Sequence, residues 1–444
     1  MTAHALKIVP ERTPVPARLP HPTKLFAEVT TRCNLRCSMC IKQAPGNEIV
    51  EGHMSADTFA RLAPAFPRLK ALVLNGIGEP LLHPKLEQFI ATARRAMPAA
   101  GWIGFQTNGQ LLDARRARSL VEAGVDRICV SSDAVSPETF RRMREGGCLE
   151  GVQGALAALH AAARQRGRAI SVGLEFVAAK DNVHELPQLV RWAAQNHVAF
   201  VIVTHMLPYQ EGLAQNAAYD TSTDGARELF DEWSRRAAAD GVRLDRYFDL
   251  FMRFKLAPED QRVVDYVNRM VAEGASRGIA IHLSRLLQHD RETQRRVAES
   301  FAAAEELARR HGIELQLPNL VPTRARRCEF VEDGGAFVSW DGKLHPCYFL
   351  WHGYRCHAGG IAKRVEPKAF GSVLENDVLD LWNARAARTF RDGVLKYDFP
   401  FCYDCSVALC DYVDGSTEFT QDCHSTDVPC ASCLWCTGLF RCLQ

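Results

Sequence analysis

The sequence predicts an α/β protein in which a partial (β/α)6 barrel carries a helical insertion and a small cysteine-rich C-terminal domain. Two observations support this fold class. From residue 24 to about residue 210, β-rich runs alternate with amphipathic runs of helical period, a pattern typical of a parallel sheet covered by helices. Eleven of the 16 cysteines then lie between Cys328 and Cys442, where the long periodicity fades.

The composition is that of an ordinary globular chain. Of the 444 residues, 47% are hydrophobic and 24% are charged, and the formal net charge is +2. A charge this close to neutral indicates no nucleic-acid or membrane partner. The N-terminus lacks the apolar core of a signal peptide and no stretch is long enough to span a membrane, so we expect a cytoplasmic protein. In that compartment, 16 cysteines indicate metal or cluster binding in place of disulfides.

The first 210 residues predict an arm followed by the barrel. Residues 1–23 contain five prolines and predict an extended arm that does not pack. Residues 24–210 predict six strand–helix units, fewer than the eight of a complete barrel. The predicted strands are Leu25–Val29, Ala71–Leu74, Trp102–Gln106, Arg127–Val130, Ile170–Phe176 and Phe200–Val203. The predicted helices are Ala56–Phe66, Pro84–Met97, Ala114–Glu122, Glu150–Arg166 and Val183–Gln195.

The remaining residues divide into a helical insertion and a cysteine-rich domain. Residues 211–317 are rich in Ala, Arg and Glu and predict an insertion or linker that ends in a short strand, Ile313–Leu317. Its predicted helices are Gly225–Ala239, Pro258–Glu273 and Glu292–Arg310. In residues 318–444, glycine, cysteine and aromatic residues become more frequent. This composition is typical of a small domain that metal centres stabilise in place of a large apolar core.

Three cysteines follow the first predicted strand. Cys33, Cys37 and Cys40 have the spacing C-x3-C-x2-C, and no fourth cysteine is near them in the sequence. Structural zinc takes four ligands, and a [4Fe–4S] cluster is normally held by four thiolates. Three thiolates on one loop therefore predict a [4Fe–4S] cluster with one iron open to a substrate or cofactor. A zinc site that takes a distant fourth ligand is the alternative.

Polar motifs follow the next three predicted strands. They are Gly76-Ile77-Gly78-Glu79-Pro80, Thr107-Asn108-Gly109 and Ser131-Ser132-Asp133. In parallel α/β sheets, functional residues gather at the carboxyl ends of the strands, where the cysteine loop is also expected. The four motifs in this order, with Met39 before the last cysteine, resemble those of the radical SAM superfamily over roughly residues 24–205. The isoleucine between the two glycines departs from the Gly-Gly-Glu motif of that superfamily.

The resemblance implies a cofactor pair and a set of residues that bind it. The three cysteines of the loop would hold the [4Fe–4S] cluster, and S-adenosylmethionine (SAM) would bind its open iron. Glu79 would receive the amino group of SAM, and Ser131 or Asp133 would take the ribose hydroxyls. Two simpler roles stay open: Glu79 as a helix cap, and Ser131 and Asp133 as turn residues. The implied SAM-binding set is Met39, Gly76, Gly78, Glu79, Thr107, Asn108, Ser131 and Asp133.

The chemistry that the resemblance implies is radical formation. An electron from the cluster would split SAM into methionine and a 5′-deoxyadenosyl radical, in a barrel interior that excludes water. The electron would come from a low-potential donor such as a ferredoxin or a flavodoxin. No residue is indicated by the sequence as a catalytic acid or base.

The C-terminal cysteines resemble the SPASM domain, which carries one or two auxiliary [4Fe–4S] clusters. Cys328, Gly342 and Cys347 match the opening of its motif. The run Cys402-x2-Cys405-x4-Cys410 is one residue shorter than the central part of the motif. Structural zinc bound by similar C-x2-C pairs is the alternative.

The auxiliary ligands are only partly determined by this resemblance. Asp414 stands where the motif has its next cysteine, so a ligand has to come from Cys423 or from the terminal cysteines. Cys356 and Cys436 are the weakest ligand candidates, and Cys129 is predicted to be an inert core residue. The predicted auxiliary ligands are Cys328, Cys347, Cys402, Cys405, Cys410, Cys423, Cys430, Cys433 and Cys442.

The predicted function is maturation of another enzyme. The runs Pro346–His352 and Cys430–Trp435 are similar to radical SAM maturases found beside tungsten-containing oxidoreductases and other metalloenzymes. We therefore expect a radical SAM enzyme that modifies a peptide, a protein or a metal cofactor of a partner metalloenzyme. One alternative is a SPASM-type dehydrogenase of a small molecule. Another is a non-enzymatic iron–sulfur protein that transfers electrons or serves as a scaffold.

Overall fold

The computed structural model describes residues 15–359, 361–405, 410 and 415–443. Its main element is a nine-stranded sheet, accompanied by a separate two-stranded hairpin. The strands are β1 (Lys24–Ala27), β2 (Ala71–Val73), β3 (Trp102–Thr107), β4 (Arg127–Ser131), β5 (Ser171–Ala178), β6 (Phe200–His205), β7 (Glu314–Gln316), β8 (Gly335–Val338), β9 (Leu344–His345), β10 (Tyr354–Ala358) and β11 (Ile361–Val365). The helices are α1 (Ala56–Ala60), α2 (Leu86–Ala96), α3 (Ala114–Ala123), α4 (Pro137–Met143), α5 (Leu149–Arg166), α6 (Leu186–Gln195), α7 (Asp224–Ala239), α8 (Tyr247–Leu250), α9 (Pro258–Ser276), α10 (Leu283–Leu287), α11 (Arg291–His311), α12 (Glu329–Glu332), α13 (Val378–Asn383) and α14 (Arg385–Lys396).

Parallel strands form the sheet of the predicted partial barrel. The strand order is β7-β6-β5-β4-β3-β2-β1-β8-β9, and every neighbouring pair from β7 to β8 is parallel. Each of the six predicted barrel strands is present, and the predicted last strand is β7, which pairs with β6. The sheet stays open, with β7 and β9 at its edges. The predicted fold class is therefore confirmed.

The C-terminal region supplies two strands of the same sheet. β8 pairs in parallel with the whole of β1, and β9 pairs antiparallel with β8. This pairing covers an edge of β1 whose backbone groups would otherwise lack partners. The predicted boundary at residue 318 thus separates two regions that share one sheet. The sequence does not indicate this, because β8 is only four residues long.

Local sequence explains where the barrel helices begin and end. At α3, the side chain of Asp113 accepts a hydrogen bond from the backbone N–H of Arg116, and Gly124 ends the helix at φ 107°. Leu120 and Val121 of the same helix are buried in the core between helices and sheet. An acidic cap at the start and a left-handed glycine at the end are common helix signals, and both are readable in the sequence.

The helical insertion divides into two parts. α7 and α9 pack on each other around a core of their own, in which Phe230, Trp233 and Met270 are buried. α11 instead packs on α6 and contributes Val297 and Phe301 to the core of the barrel. The last helix of the predicted insertion therefore belongs to the barrel. Among the described residues, no helix has both the length and the apolar character that crossing a bilayer requires.

Part of the predicted N-terminal arm is packed. Ala17 is buried, and its backbone oxygen accepts a hydrogen bond from Arg391 Nε at 2.9 Å. The backbone oxygen of Leu19 accepts one from Trp382 Nε1, also at 2.9 Å. An unpacked arm is therefore wrong for residues 15–23, and residues 1–14 lie outside the described part of the chain. This contact is not readable in the sequence, where α13 and α14, which supply both donors, were not predicted.

The C-terminal region also fills part of the barrel interior. Phe330 and Leu443 pack in one buried cluster with side chains from the inner face of the sheet. Cys129 of β4 lies in this cluster and is fully buried, as predicted for a core residue. The strand side chains of the cluster are Phe26, Val73, Cys129, Phe200, Ile202 and Phe337.

His205 makes the stability of the fold depend on pH. It ends β6, is 1% exposed, and its Nε2 bonds to the backbone oxygen of Asn319 at 2.8 Å. Burial lowers the pKa of His205 from 6.5 to about 4. As the pH falls, the histidine therefore binds a proton in the unfolded chain before it does so in the folded protein. The contribution of neutral His205 to the stability of the fold is complete above pH 6.5 and is lost between pH 6.5 and 4. We expect His205 alone to lower the free energy of unfolding by about 3 kcal/mol over that window.

Urea unfolding of anaerobically purified protein at neutral pH and near the lower end of the window checks this expectation. The comparison is between the wild type and His205→Gln, since glutamine can still donate to Asn319 but does not titrate. The variant should lose less stability on acidification. Equal losses would contradict the role given to His205, because the clusters and the buried His345, whose pKa is also lowered to about 4, are common to both proteins.

Candidate functional site: cysteine loop and auxiliary cysteine sets

The cysteine loop follows β1 and is anchored to the end of α4. The backbone N–H of Arg36 donates to the Glu145 oxygen at 2.9 Å, and that of Ser38 donates to the Met143 oxygen at 3.1 Å. The three thiols of the loop are free of disulfides and half-buried. Backbone bonds on both sides of the middle cysteine therefore hold the loop in one conformation.

Burial raises the pKa of all three loop thiols. For Cys37 it reaches about 11, and the thiols of Cys40 and Cys33 add to the rise. Burial also raises the pKa of Cys33 and Cys40. Neighbouring thiolates in this setting need a cation to compensate their charge, and a bound metal centre provides one. Three thiols of one loop, close enough to influence one another, fit an iron–sulfur cluster.

The cysteines are not grouped as ligands of a single ion. Within the described ranges, no three His, Cys, Asp or Glu side chains form a group that could hold one metal ion.

The glycines of the motif after β2 permit close packing against β1 and the cysteine loop. Gly78 donates its backbone N–H to the Thr30 oxygen at 3.2 Å. A Cβ on Gly78 would lie 2.4 Å from the Arg32 oxygen and 2.5 Å from the Thr30 oxygen. A Cβ on Gly76 would lie 2.2 Å from Cγ of Glu28. Neither position has room for a side chain, so both glycines are needed for the loop to close on its neighbour.

We expect Gly78→Ala to lower the rate of SAM cleavage at least tenfold. The added methyl group would meet two backbone oxygens, so the loop has to move away from the cysteines. The measurement is 5′-deoxyadenosine formed per minute with dithionite and SAM under anaerobic conditions. Gly154→Ala is the matched control, because Gly154 is exposed on α5 and a Cβ added there would meet nothing within 4 Å. Equal rates in the two variants would show that the loop tolerates displacement.

Glu79 joins the ends of β2 and β3. Its side chain is 2% exposed, and its carboxylate accepts hydrogen bonds from Thr107 Oγ1 at 2.7 Å, Asn108 N–H at 2.7 Å and Leu81 N–H at 3.0 Å. Burial raises the pKa of Glu79, and these bonds work against the rise. The bond to Leu81 caps the short 3-10 helix Pro80–Leu82. The helix predicted from Pro84, for which Glu79 was the possible cap, begins at Leu86 with Lys85 as its N-cap. The contact of Glu79 with the amino group of SAM stays a prediction.

Two predicted SAM-binding residues contact the cysteine loop. Asn108 Nδ2 donates to Asn34 Oδ1 at 2.9 Å and lies 4.0 Å from Cys33 Sγ. Met39, on the loop itself, is 9% exposed and packs with Met143 in a small apolar cluster. The end of β3 and the loop after β1 therefore form one continuous site.

Asp133 is fully buried in an ion pair that the sequence did not indicate. Its carboxylate lies 2.6 Å from Arg144 Nε and accepts a hydrogen bond from the Val177 N–H at 2.9 Å. Burial alone would lower the pKa of Arg144, but the neighbouring Asp133 and Cys37 raise it above its ordinary value. The side chain of Asp133 is 0% exposed in this ion pair. The contact of Ser131 or Asp133 with the ribose hydroxyls of SAM stays a prediction. Asp133 holds a cation beside the cysteine loop.

Two polar pairs inside the barrel were missed by the sequence analysis. Ser131 Oγ lies 3.5 Å from Glu175 of β5, and burial raises the pKa of Glu175. Both carboxylate oxygens of Glu28 lie 3.1 Å from Nε2 of His352. An acidic residue within an apolar strand is a signal that could have found Glu28 and Glu175. No sequence signal links Glu28 to His352, which is 324 residues away.

Five C-terminal cysteines lie together, and we call them the inner cysteine set. Burial raises the pKa of Cys347 to about 12, and the thiol of Cys433 adds to the rise. A hydrogen bond from Cys436 lowers the pKa of Cys433. Four of the five thiols line a cavity of about 180 Å³. The inner set consists of Cys328, Cys347, Cys430, Cys433 and Cys436.

Four other cysteines form a second group, the outer cysteine set. Its members are Cys402, Cys405, Cys410 and Cys423. Burial raises the pKa of Cys402 to about 12, and the thiols of the other three cysteines add to this rise, which shows that they are its neighbours. Burial also raises the pKa of Cys423, with Cys405 and Cys410 contributing. Cys423 thus lies near the Cys402–Cys410 run and is one of the two predicted sources of the missing ligand. Asp414 lies outside the described residues.

Two C-terminal cysteines lie outside both sets. Cys442, a predicted ligand, accepts a hydrogen bond from Trp435 Nε1 at 3.3 Å, and no thiol is among the groups that shift its pKa. Cys356 is buried on β10. The structure therefore places Cys436, a weak ligand candidate, in the inner set and Cys442, a predicted ligand, outside it. Which of the two binds a cluster stays a prediction. The chain turns at Gly438, where φ is 83°, and this turn separates the two cysteines.

Comparison with known proteins identifies two domains in the chain. Residues 27–193 match the family model of the radical SAM superfamily, and residues 328–406 match that of SPASM, an iron–sulfur cluster-binding domain. These matches account for the cysteine loop with its strand-end motifs, and for the first part of the cysteine-rich region.

Three known proteins illustrate the extent of the similarity. The tungsten-containing aldehyde ferredoxin oxidoreductase cofactor-modifying protein of Pyrococcus furiosus is 28% identical over 424 residues, 94% of this chain and 96% of that protein. A GTP 3′,8-cyclase of Bradyrhizobium diazoefficiens is 32% identical over 191 residues, 41% of this chain and 52% of that enzyme. The crystal structure of Streptococcus suis SuiB bound to SAM has a TM-score of 0.49 at 12% identity, covering 86% of this chain and 69% of that one.

The family matches explain the fit of the cysteines to clusters. Radical SAM domains bind SAM and a [4Fe–4S] cluster, and SPASM domains bind auxiliary [4Fe–4S] clusters. The predicted cofactors are therefore confirmed. With a radical SAM domain over residues 27–193 and a SPASM domain over residues 328–406, the chain is a SAM-dependent iron–sulfur enzyme of the radical SAM superfamily.

Proposed function

We propose that this enzyme modifies a peptide, a protein or a metal cofactor during the maturation of a partner metalloenzyme. The observation that carries the proposal is the similarity to the tungsten-containing aldehyde ferredoxin oxidoreductase cofactor-modifying protein over nearly the whole of both chains. That similarity includes the insertion and the cysteine-rich region as well as the barrel. A shared substrate class is the simplest reason for two chains to keep the same arrangement of all these parts.

In this proposal Cys33, Cys37 and Cys40 hold the SAM cluster. When bound there, the cluster would supply the electron for the reductive cleavage of SAM that starts radical chemistry on the substrate. Arg144, buried beside Cys37, offsets part of the negative charge that the thiolates bring. Asn108 and Glu79 keep the ends of β2 and β3 against the loop.

Other polar groups of the barrel interior serve the substrate in the same proposal, while Ser131 keeps its predicted contact with SAM. Glu28 with His352, and Glu175 of β5, are groups there that can exchange a proton or bind a polar substrate. Because His352 comes from the C-terminal region, this region contributes to the substrate site as well as to cluster binding. The inner and outer cysteine sets support two auxiliary clusters in place of one.

Anaerobic assays separate this function from its alternatives. The holoenzyme is incubated with dithionite and SAM, and 5′-deoxyadenosine is measured by mass spectrometry. It is then co-expressed with a tungsten-containing oxidoreductase, whose mass and cofactor are compared with and without the enzyme. A changed partner supports the proposal. An unchanged partner with active SAM cleavage favours a small-molecule dehydrogenase, and no SAM cleavage at all favours a scaffold.

A further inference from the structure

Lys363 is a buried lysine at the centre of the cysteine-rich region. It lies on β11, directly opposite Cys356 in the hairpin with β10, and is 8% exposed. Its Nζ donates a hydrogen bond to the Ser432 oxygen at 3.1 Å and lies 4.3 Å from the centre of the Phe349 ring. The ammonium group is therefore held in one place by a carbonyl and an aromatic face.

The electrostatic partners of Lys363 are thiols. Burial lowers the pKa of Lys363, and the groups that work against this are Cys356, Cys433, Cys402 and Cys430. Cys433 and Cys430 belong to the inner cysteine set, and Cys402 belongs to the outer set. The hydrogen bonds agree with this, because the Ser432 oxygen that accepts from Lys363 also accepts from Tyr403 Oη at 2.6 Å. Ser432 precedes Cys433 and Tyr403 follows Cys402, so Lys363 lies close to both sets.

A buried ammonium is costly unless negative charge compensates it. The Ser432 carbonyl and the Phe349 ring supply only partial charges. Clusters ligated by thiolates carry a net negative charge, and their reduction potentials depend on the charge around them. In a buried site of low dielectric constant, a cation close to two such clusters interacts strongly with both.

We propose that the ammonium of Lys363 is the shared counter-charge of the two auxiliary clusters and raises the reduction potential of both. Reduction adds one electron, and so one negative charge, to a cluster. A fixed cation therefore stabilises the reduced form more than the oxidised form. The inference rests on the proposed ligation of clusters by the inner and outer cysteine sets. It makes Lys363 a positioning residue that sets how readily each auxiliary cluster accepts an electron.

The test is a redox titration of the auxiliary clusters alone. The full chain with Cys33, Cys37 and Cys40 replaced by alanine serves as background, since it should lack the SAM cluster. In this background, Lys363→Gln and Lys363→Arg are compared by dithionite titration followed by electron paramagnetic resonance. Lys396→Gln is the control, because that exposed lysine at the end of α14 is screened by water.

We expect Lys363→Gln to move the midpoint potentials of both auxiliary signals to more negative values. The midpoint potentials of Lys363→Arg should stay near those of the background, because arginine keeps the positive charge. The midpoint potentials of Lys396→Gln should equal those of the background. Loss of iron in Lys363→Gln but not in Lys363→Arg, with unchanged circular dichroism, would also support the counter-charge role.

Other outcomes would overturn the inference. Unchanged potentials in an iron-replete Lys363→Gln protein would show that the charge has no effect. An equal shift, or equal loss of iron or structure, in Lys363→Arg would show that the residue acts through packing. If the background itself binds no auxiliary iron, the proposed ligation is wrong and this inference fails with it, and the iron count distinguishes that case from the others.

Discussion

Replacing Cys33, Cys37 and Cys40 together by alanine should remove about four irons per chain and abolish 5′-deoxyadenosine formation. The three thiols are the cysteines of one loop, and each lies close enough to affect the pKa of another. Without them, no group in the loop can hold a cluster against the barrel. The auxiliary irons should remain, because the cysteines of both C-terminal sets lie outside this loop.

Iron and sulfide counts on anaerobically purified protein, together with 5′-deoxyadenosine measured after addition of dithionite and SAM, check this prediction. Cys148→Ala is the matched control, since Cys148 is an exposed cysteine that does not belong to the loop and whose Sγ contacts Gln110 Oε1. Residual SAM cleavage in the triple variant would contradict the assignment of the loop. A loss of all iron would show that the centres do not assemble independently.

The second large effect concerns the C-terminal cysteines. Double alanine variants that break the inner or the outer set should each lose about four irons, since a cubane that loses two thiolates is not retained. A double variant of the two cysteines outside both sets should keep all its iron. The variants are Cys328→Ala with Cys347→Ala for the inner set, Cys402→Ala with Cys405→Ala for the outer set, and Cys356→Ala with Cys442→Ala for neither.

The same iron counts, with Mössbauer spectra of each variant, decide the outcome. Loss of iron on removal of Cys356 and Cys442 would contradict the grouping in the structure and favour the ligand set predicted from spacing. If either of the other two variants retains all its iron, its cysteine set does not hold a cluster, and the chain has one auxiliary cluster instead of two. Circular dichroism on all three proteins controls for general unfolding.

The strand-end motifs show how far sequence reasoning extends. Gly78 is a predicted SAM-binding position, and the structure gives a reason for glycine there, since a Cβ would lie 2.4 Å from a backbone oxygen. Glu79 and Asp133 have the expected places at the ends of β2 and β4. Their carboxylates, however, are used mainly by the protein itself, one as a cap and the other in an ion pair with Arg144. Such partners come from other elements and have no fixed spacing from the motif.

The sequence by itself determined the parallel α/β barrel, the cysteine loop, the order of the strand-end motifs and the presence of auxiliary cysteines. These features depend on periodicity and on short spacings, which are local properties of the chain. Only the tertiary structure decided that β8 pairs with β1, that His352 meets Glu28, and that Cys436 and not Cys442 joins the inner set. The physical reason is the same in each case. These contacts join residues separated by long stretches or by a turn of the chain, and packing of the whole molecule, rather than local pattern, brings them together.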